Sequence, residues 1–385
     1  MNDTAIGWTD HTLNFWWGCT KVSPACTNCY AEKFAAYAGR RIFGHPVEWG
    51  PGKQRGERLE RARKEALALD RKAVKAGHRY RVFVNSMSDW LDVEVPIEWL
   101  EFLLETIFLC PNLDFQLLTK RPENFWSKLE SAMESFQDSQ MNTTFWRWLC
   151  LWGNHRAPNN VWIGTTVEDQ TRADERIPHL LKIPAQVRFL SCEPLLGPVE
   201  LPVQWEEPED GGKPYLDGIH WVIAGGESGA KNVRLSHPNW FRSLRDQCVG
   251  INVPFFFKQW GDWMPLAQAP ESAQQPKMKG LWITPEGDGF KTENARTDGL
   301  MVRIGAANAG NLLDGRLWEQ FPGEEPVVSP CSQCRGPMEP ERAHAGHFIC
   351  TPCVDAAIDH LRDHHPDDLE KLLADNSVPP ATKPL

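Results

Sequence analysis

The sequence predicts an α/β fold, a partial or full β/α barrel carrying a small C-terminal zinc-ribbon module. Three observations predict it. Seven short apolar runs recur between residues 13 and 257, segments able to hold a helix lie between most of them, and four cysteines stand in two close pairs near the end of the chain.

The apolar runs are Leu13–Trp17, Arg81–Val84, Phe115–Leu118, Val161–Gly164, Val187–Leu190, Ile219–Ala224 and Pro254–Phe257. Mostly apolar, β-branched or aromatic runs of this length read as strands buried on both faces. The segments at 30–38, 55–75, 97–110, 170–183 and 239–248 can each hold a helix. Strand–helix alternation implies a parallel sheet with right-handed crossovers, closed toward a barrel or opened as a doubly wound sheet. Residues 125–159 interrupt the rhythm with Trp126, Trp146, Trp148 and Trp152, and read as a helical insertion whose tryptophans pack.

Residues 1–265 are assigned to the barrel and 266–322, rich in Gly and Pro, to a wrapping or lid segment. Residues 323–365 hold the cysteine pairs, and 366–385 read as a polar, disordered tail. No run of about 18 apolar residues points to a membrane span. The N-terminus lacks a secretory pattern, so the expected compartment is the cytoplasm.

Net charge is −10, yet residues 31–81 carry +8 and the remainder −18. A basic patch on an acidic protein points to a polyanionic partner such as nucleic acid. The competing reading is a solvated helix laced with pairs such as Glu60–Lys64.

Polar residues follow each predicted strand, and in β/α barrels the C-terminal strand ends form the active site. They include Ser86, Ser88 and Asp89, then Lys120 and Arg121, then Thr166 and Glu168, then Glu193, then Gly225, Gly226 and Glu227, and finally Lys258. Single charges there also occur as structural ion pairs.

Of 11 cysteines, Cys19, Cys26 and Cys29 form a C-x6-C-x2-C loop just after the first predicted strand. Clustered thiols in a reducing compartment more often bind metal than form disulfides. Three thiolates can hold three irons of a [4Fe–4S] cubane and leave the fourth iron open to the amino and carboxylate groups of S-adenosylmethionine (SAM). A structural zinc site completed by Cys192 or His11 is the alternative.

Many ordered stretches, among them IGWTDHTLNFWWGCTKVSPACTNCYAEKFA, VNSMSDWL, LLTKRPEN, VWIGTTVEDQ, RFLSCEPLLGPV, WVIAGGESG, FFFKQWG and NLLDGRLWEQFP, resemble the successive motifs of one phage-associated three-Cys-motif family. The resemblance runs from about Ile6 to Pro322. It implies a radical SAM-like barrel, an iron–sulfur cluster on Cys19, Cys26 and Cys29, an external electron donor and a three-Cys-motif partner protein. The family's reaction is not defined by these motifs. On this reading Ser86, Ser88, Asp89, Thr166, Glu168, Gly225, Gly226 and Glu227 are candidate cofactor-binding residues. Lys120, Glu193 and Lys258 are candidate catalytic side chains, with Arg121 a further anion binder.

Cys331, Cys334, Cys350 and Cys353 stand as C-x2-C-x15-C-x2-C, the spacing of a zinc ribbon. An auxiliary iron–sulfur cluster is the alternative. The expected function is a radical SAM enzyme acting on a nucleic acid base or nucleotide. The alternatives are action on a small molecule or protein, or a non-catalytic zinc-stabilised nucleic-acid-binding protein.

Overall fold

The chain divides into two units, Met1–Glu324 and Glu325–Leu385. A computed structural model describes residues 4–324, except 5, 137–142, 202–217, 230–231, 271–279, 285–286, 288 and 291–298. The expected zinc ribbon with Cys331, Cys334, Cys350 and Cys353, and the tail, lie outside the described residues.

In chain order the elements begin with β1 (His11–Leu13), β2 (Trp16–Trp17), α1 (Tyr30–Phe43), β3 (Gly56–Glu57), α2 (Leu59–Ala76), β4 (Tyr80–Val84), α3 (Ile97–Leu109) and β5 (Leu113–Thr119). They continue with α4 (Phe125–Glu134), α5 (Thr144–Gly153), β6 (Val161–Thr166), α6 (Gln170–Leu181), β7 (Val187–Cys192), β8 (Trp221–Gly225), α7 (Pro238–Gly250) and β9 (Phe255–Gln259). Then follow β10 (Trp263–Pro265), β11 (Gly280–Ile283), β12 (Gly289–Phe290), β13 (Leu300–Arg303), α8 (Ala306–Ala309), β14 (Leu312–Leu313) and β15 (Arg316–Leu317).

The main sheet has seven strands in the order β1-β4-β5-β6-β7-β8-β9. Every neighbouring pair in it is parallel. Each strand therefore pairs with the next one laid down. Right-handed crossovers taken repeatedly in one direction put the helices on a single face. A doubly wound sheet instead reverses its order at a switch point, and no reversal occurs here. The sheet is a partial barrel whose end strands, β1 and β9, are not neighbours.

Side-chain alternation confirms the two faces. Val82, Val84, Leu117, Ile163, Leu190, Val222 and Phe257 join the large core beneath the helices. Phe83, Trp162, Phe189, Trp221, Ile223 and Phe256 point the other way and pack with Trp8 into a separate inner cluster. Both faces are covered, which is why the strands read as nearly unbroken apolar runs.

The first predicted strand needs correction. Leu13–Trp17 is not one element: the sheet strand is His11–Leu13, and Trp16–Trp17 leaves the sheet to pair antiparallel with Gly56–Glu57. The break falls at Phe15, whose N–H donates to Asn85 Oδ1 at 2.8 Å instead of continuing the ladder. All of Leu13, Phe15, Trp16 and Trp17 are buried, so hydrophobicity alone shows no boundary.

The insertion after β5 is helical, as α4 and α5, and Trp152 is buried with its Nε1 donating to Pro184 O at 2.7 Å. Within residues 266–322, β11, β12 and β13 join β10 in an antiparallel sheet, and β14 and β15 form a hairpin. The chain then lies along the outer edge of β9, where Phe257 N–H donates to Trp318 O at 2.8 Å and Gln320 N–H to Phe255 O at 3.3 Å. That covers an edge whose backbone groups would otherwise be open to pairing.

Candidate functional site

A cavity of about 600 Å³ opens at the C-terminal ends of the parallel strands. Cys19, Cys26 and Cys29 all line it, all three are free thiols, and all are partly buried. Cys26 closes a short 3-10 turn at Pro24–Cys26, and Cys29 caps the N-terminus of α1. Among the described residues, no other cysteine and no histidine lines the cavity.

The loop is fastened to segments that follow β4, β6 and β8. Thr20 N–H donates to Asp92 Oδ2 at 2.7 Å. Ala25 N–H donates to Glu168 Oε1 at 3.3 Å. Asn28 Nδ2 donates to Glu227 Oε2 at 2.9 Å and to Asn232 O at 2.9 Å. Arg234 Nη1 donates to Pro24 O at 2.8 Å. Tyr30 lines the cavity, and its hydroxyl donates to Ser86 O at 2.7 Å. A loop held this way loses little entropy on taking up a ligand.

The thiols do not converge as placed. Cys19 Sγ lies 3.8 Å from Arg121 Nη1 and Cys26 Sγ 3.8 Å from Ser23 Oγ. Among the described residues no three His, Cys, Asp or Glu side chains stand together at metal-binding separation. Burial, with Asp89 adding to it, pushes the Cys19 thiol up to about 12 against the pull of Arg121. Burial also acts to raise Cys26, but the Lys120 charge and backbone hydrogen bonds at Val22 and Ser23 outweigh it and hold that thiol below its ordinary value.

The sequence-selected residues separate into two groups. Ser86, Ser88, Asp89, Lys120, Thr166, Glu193, Gly226, Glu227 and Lys258 line the cavity. Glu168 is fully buried and Gly225 stands behind the wall.

Several of them are already engaged by the protein. The Asp89 carboxylate accepts from Thr119 Oγ1 at 2.7 Å, Leu91 N–H at 3.1 Å, Lys120 N–H at 2.8 Å and Arg121 Nη1 at 2.8 Å. It positions Arg121 rather than offering itself to a cofactor. Ser88 Oγ donates to Trp16 O at 3.1 Å. Glu168 pairs with Arg176 at 2.8 Å, and Glu227 with Arg234. Burial disfavours both carboxylates, yet these arginines and the loop donors keep each below the usual carboxylate range.

The two glycines also receive a different explanation from the one the sequence suggests. A Cβ on Gly226 would meet Trp260 O at 1.9 Å, and one on Gly225 would meet Glu193 Oε1 at 2.4 Å. Their bareness admits the protein's own backbone and side chain, not a ligand.

What remains directed at the cavity is cationic and hydroxylic. Lys120 Nζ is held by Thr166 Oγ1 at 3.2 Å. Lys258 Nζ sits 3.2 Å from Glu193 Oε1 and 3.2 Å from Oε2. Arg121 Nη1 and Nη2 face the Cys19 sulfur, and Ser191 completes the wall. Such groups can bind carboxylate or phosphate and a ligand's polar edges.

The zinc alternative loses its named fourth ligands. Cys192 is fully buried in the core under the helices, and His11 lines a separate cavity beside α2.

Sequence reading missed the fasteners: Asn14, Asn28, Asp92, Arg176 and Arg234. Asn14 Oδ1 accepts from Met87 N–H at 2.9 Å, shaping the segment that carries Ser86 and Ser88. Asn14 precedes the cysteine motif and Asn28 lies within it, but nothing local to them identifies partners 73 and 199 residues away.

A family model described as "Protein of unknown function (DUF5131)" matches residues 3–322. No curated protein and no solved structure matches the chain.

Proposed function

We propose that this chain, which belongs to the DUF5131 family, holds a [4Fe–4S] cluster on Cys19, Cys26 and Cys29 and uses it with SAM on a nucleobase or nucleotide. One observation carries the reading. Three free thiols line a single cavity at the C-terminal mouth of a parallel sheet, and among the described residues no fourth Cys or His lines it with them. That donor set suits a cluster with one iron open, and the resemblance to the three-Cys-motif family agrees with it.

Cys19, Cys26 and Cys29 would hold such a cluster, which would supply reductive cleavage of a carbon–sulfur bond of SAM with an electron from an external donor. The chain's own contribution is binding. Lys120 and Lys258 supply positive charge for a carboxylate or phosphate, and Glu193 holds Lys258 in place. Ser86 and Thr166 offer hydroxyls at the wall. Tyr30 stands at the cavity's edge, its hydroxyl bonded to Ser86 O at 2.7 Å. Zinc at Cys331, Cys334, Cys350 and Cys353, and a protein partner, belong to the same proposal.

The test is anaerobic reconstitution of the full chain with ferrous iron and sulfide. The expected result is a brown chromophore, an EPR signal on reduction, and 5′-deoxyadenosine with methionine from SAM, all lost in Cys26→Ala. Metal content unchanged in that variant, or tight zinc at the three cysteines with no SAM cleavage, would overturn the proposal.

A further inference from the structure

Helix α1 is packed inside out. Its buried face consists of Ala31, Ala35, Ala38 and Gly39. Three of its four large aromatic side chains leave much of their surface exposed, Tyr30 59%, Phe34 49% and Tyr37 82%, while Phe43 packs against Trp17. A surface helix ordinarily buries its large apolar residues and exposes small or polar ones. Positions 30, 34 and 37 follow i, i+4, i+7 spacing, so the three rings form one stripe about 10 Å long.

The stripe starts at the cavity, because Tyr30 lines it and is fixed there by its bond to Ser86 O at 2.7 Å. Phe34 is steadied by Trp17, ring centroids 5.5 Å apart. Exposed cations flank the rings, Lys33 within the stripe and Arg40 and Arg41 in the last turn. Aromatic faces interleaved with cations are the means by which proteins hold single-stranded nucleic acid: bases stack, phosphates are neutralised. A second copy of this chain is a poorer occupant, since a twofold contact would set Lys33, Arg40 and Arg41 against themselves. A duplex hides its base faces from such a stripe.

We propose that this face of α1 binds single-stranded nucleic acid, stacking bases on Tyr37, Phe34 and Tyr30 while Lys33, Arg40 and Arg41 meet the backbone. The strand leads into the cavity at Tyr30, a destination that rests on the function proposed above. The binding itself does not.

The test is fluorescence anisotropy of a labelled oligothymidylate with the full chain as purified, without iron loading, across a salt series. Tyr37→Ala is expected to weaken binding by about tenfold, within the usual range for one base-stacking aromatic. Tyr37→Phe keeps the ring and the affinity. Arg40→Gln with Arg41→Gln lowers the slope of log K against log salt by about 1.4. Leu151→Ala, at another exposed apolar side chain, changes nothing. Absence of binding at low salt, a Tyr37→Ala variant that binds like wild type, or equal affinity for the matching duplex overturns the proposal. So does a dimer in sedimentation that Tyr37→Ala dissolves. Oligonucleotide binding without SAM cleavage would remove the function above and leave this surface standing.

Discussion

Asn28 and Glu227, 199 residues apart, meet at 2.9 Å, and that contact fixes the segment between Cys26 and Cys29 to the end of the sheet. Glu227 accepts at the same time from Arg234 N–H at 2.8 Å, and its carboxylate is nearly buried. Glu227→Gln keeps the shape but weakens the hold on Arg234 and on the loop. Hydrogen bonds to charged groups contribute about 1.5–3 kcal/mol, so a loss of about 2 kcal/mol is expected in urea unfolding. On the proposed function, the same change lowers iron affinity after reconstitution by about tenfold or more, the usual effect of removing a group that orients metal ligands. Unchanged iron content would separate the contact from metal binding.

Arg121 is the centre of a second buried cluster. Its guanidinium lies 2.8 Å from Asp89 and 3.8 Å from Asp92, and it also donates to Thr20 O. Burial opposes the charge on Arg121, yet these carboxylates raise its pKa well above normal. Arg121→Leu leaves Asp89 buried without its counter-charge, a loss of about 3–5 kcal/mol. Arg121→Lys restores charge but not the fork that reaches Asp89 and Thr20 together, so it recovers only part. Denaturant midpoints of the three proteins check the order.

Acid sensitivity should come from carboxylates held by arginine. Burial alone would raise Asp314, but Arg242 and Arg245 hold its pKa below the ordinary 3.8; Arg81 does the same for Asp10. A folded pKa below the unfolded one gives stability that is complete above the ordinary value. That stability is lost as pH falls through the folded value. Both aspartates are about a third exposed, so each contributes about 1 kcal/mol or less. Asp314→Asn is expected to lower the melting temperature at pH 7, with the difference shrinking as pH falls below the ordinary 3.8 and through the folded value. A difference that persists at low pH would show that charge is not its origin.

The strands were legible because both sides of the sheet are buried: Phe83 and Val84 differ in face but not in hydrophobicity. The same uniformity hid the break at Phe15, where the only signal is a hydrogen bond to Asn85. The three cysteines and the cavity lysines stood out by type and by place after a strand. Their fasteners did not, since Asp92 reaches Thr20 across 72 residues and Arg234 reaches Pro24 across 210. Asp89, Glu168 and Glu227 were recognisable as site residues, but only the fold shows that arginines already occupy them. Short strands in the Gly/Pro-rich segment after residue 266 escaped because two to four residues carry no measurable period.

The glycine pair at the end of β8 gives the sharpest structural test. Gly226 N–H donates to Gln259 O at 2.9 Å, and Asp262 N–H donates to Glu227 O at 2.9 Å, so two chain segments lie in backbone contact there. A Cβ on Gly226 would stand 1.9 Å from Trp260 O, and the backbone at Gly261, with φ +80°, has little freedom to retreat. Gly226→Ala must push the strand end carrying Glu227 away from the loop after Lys258. Overpacking of this kind costs about 1–3 kcal/mol and more where backbone meets backbone. Gly250→Ala, at the end of α7 with nothing within 4 Å of the added carbon, is expected to be neutral or to stabilise by about 0.5 kcal/mol. Thermal melts of the two variants side by side distinguish a glycine required for close approach from one that is merely tolerated. Equal melting temperatures would mean that the β8 end is not packed as described.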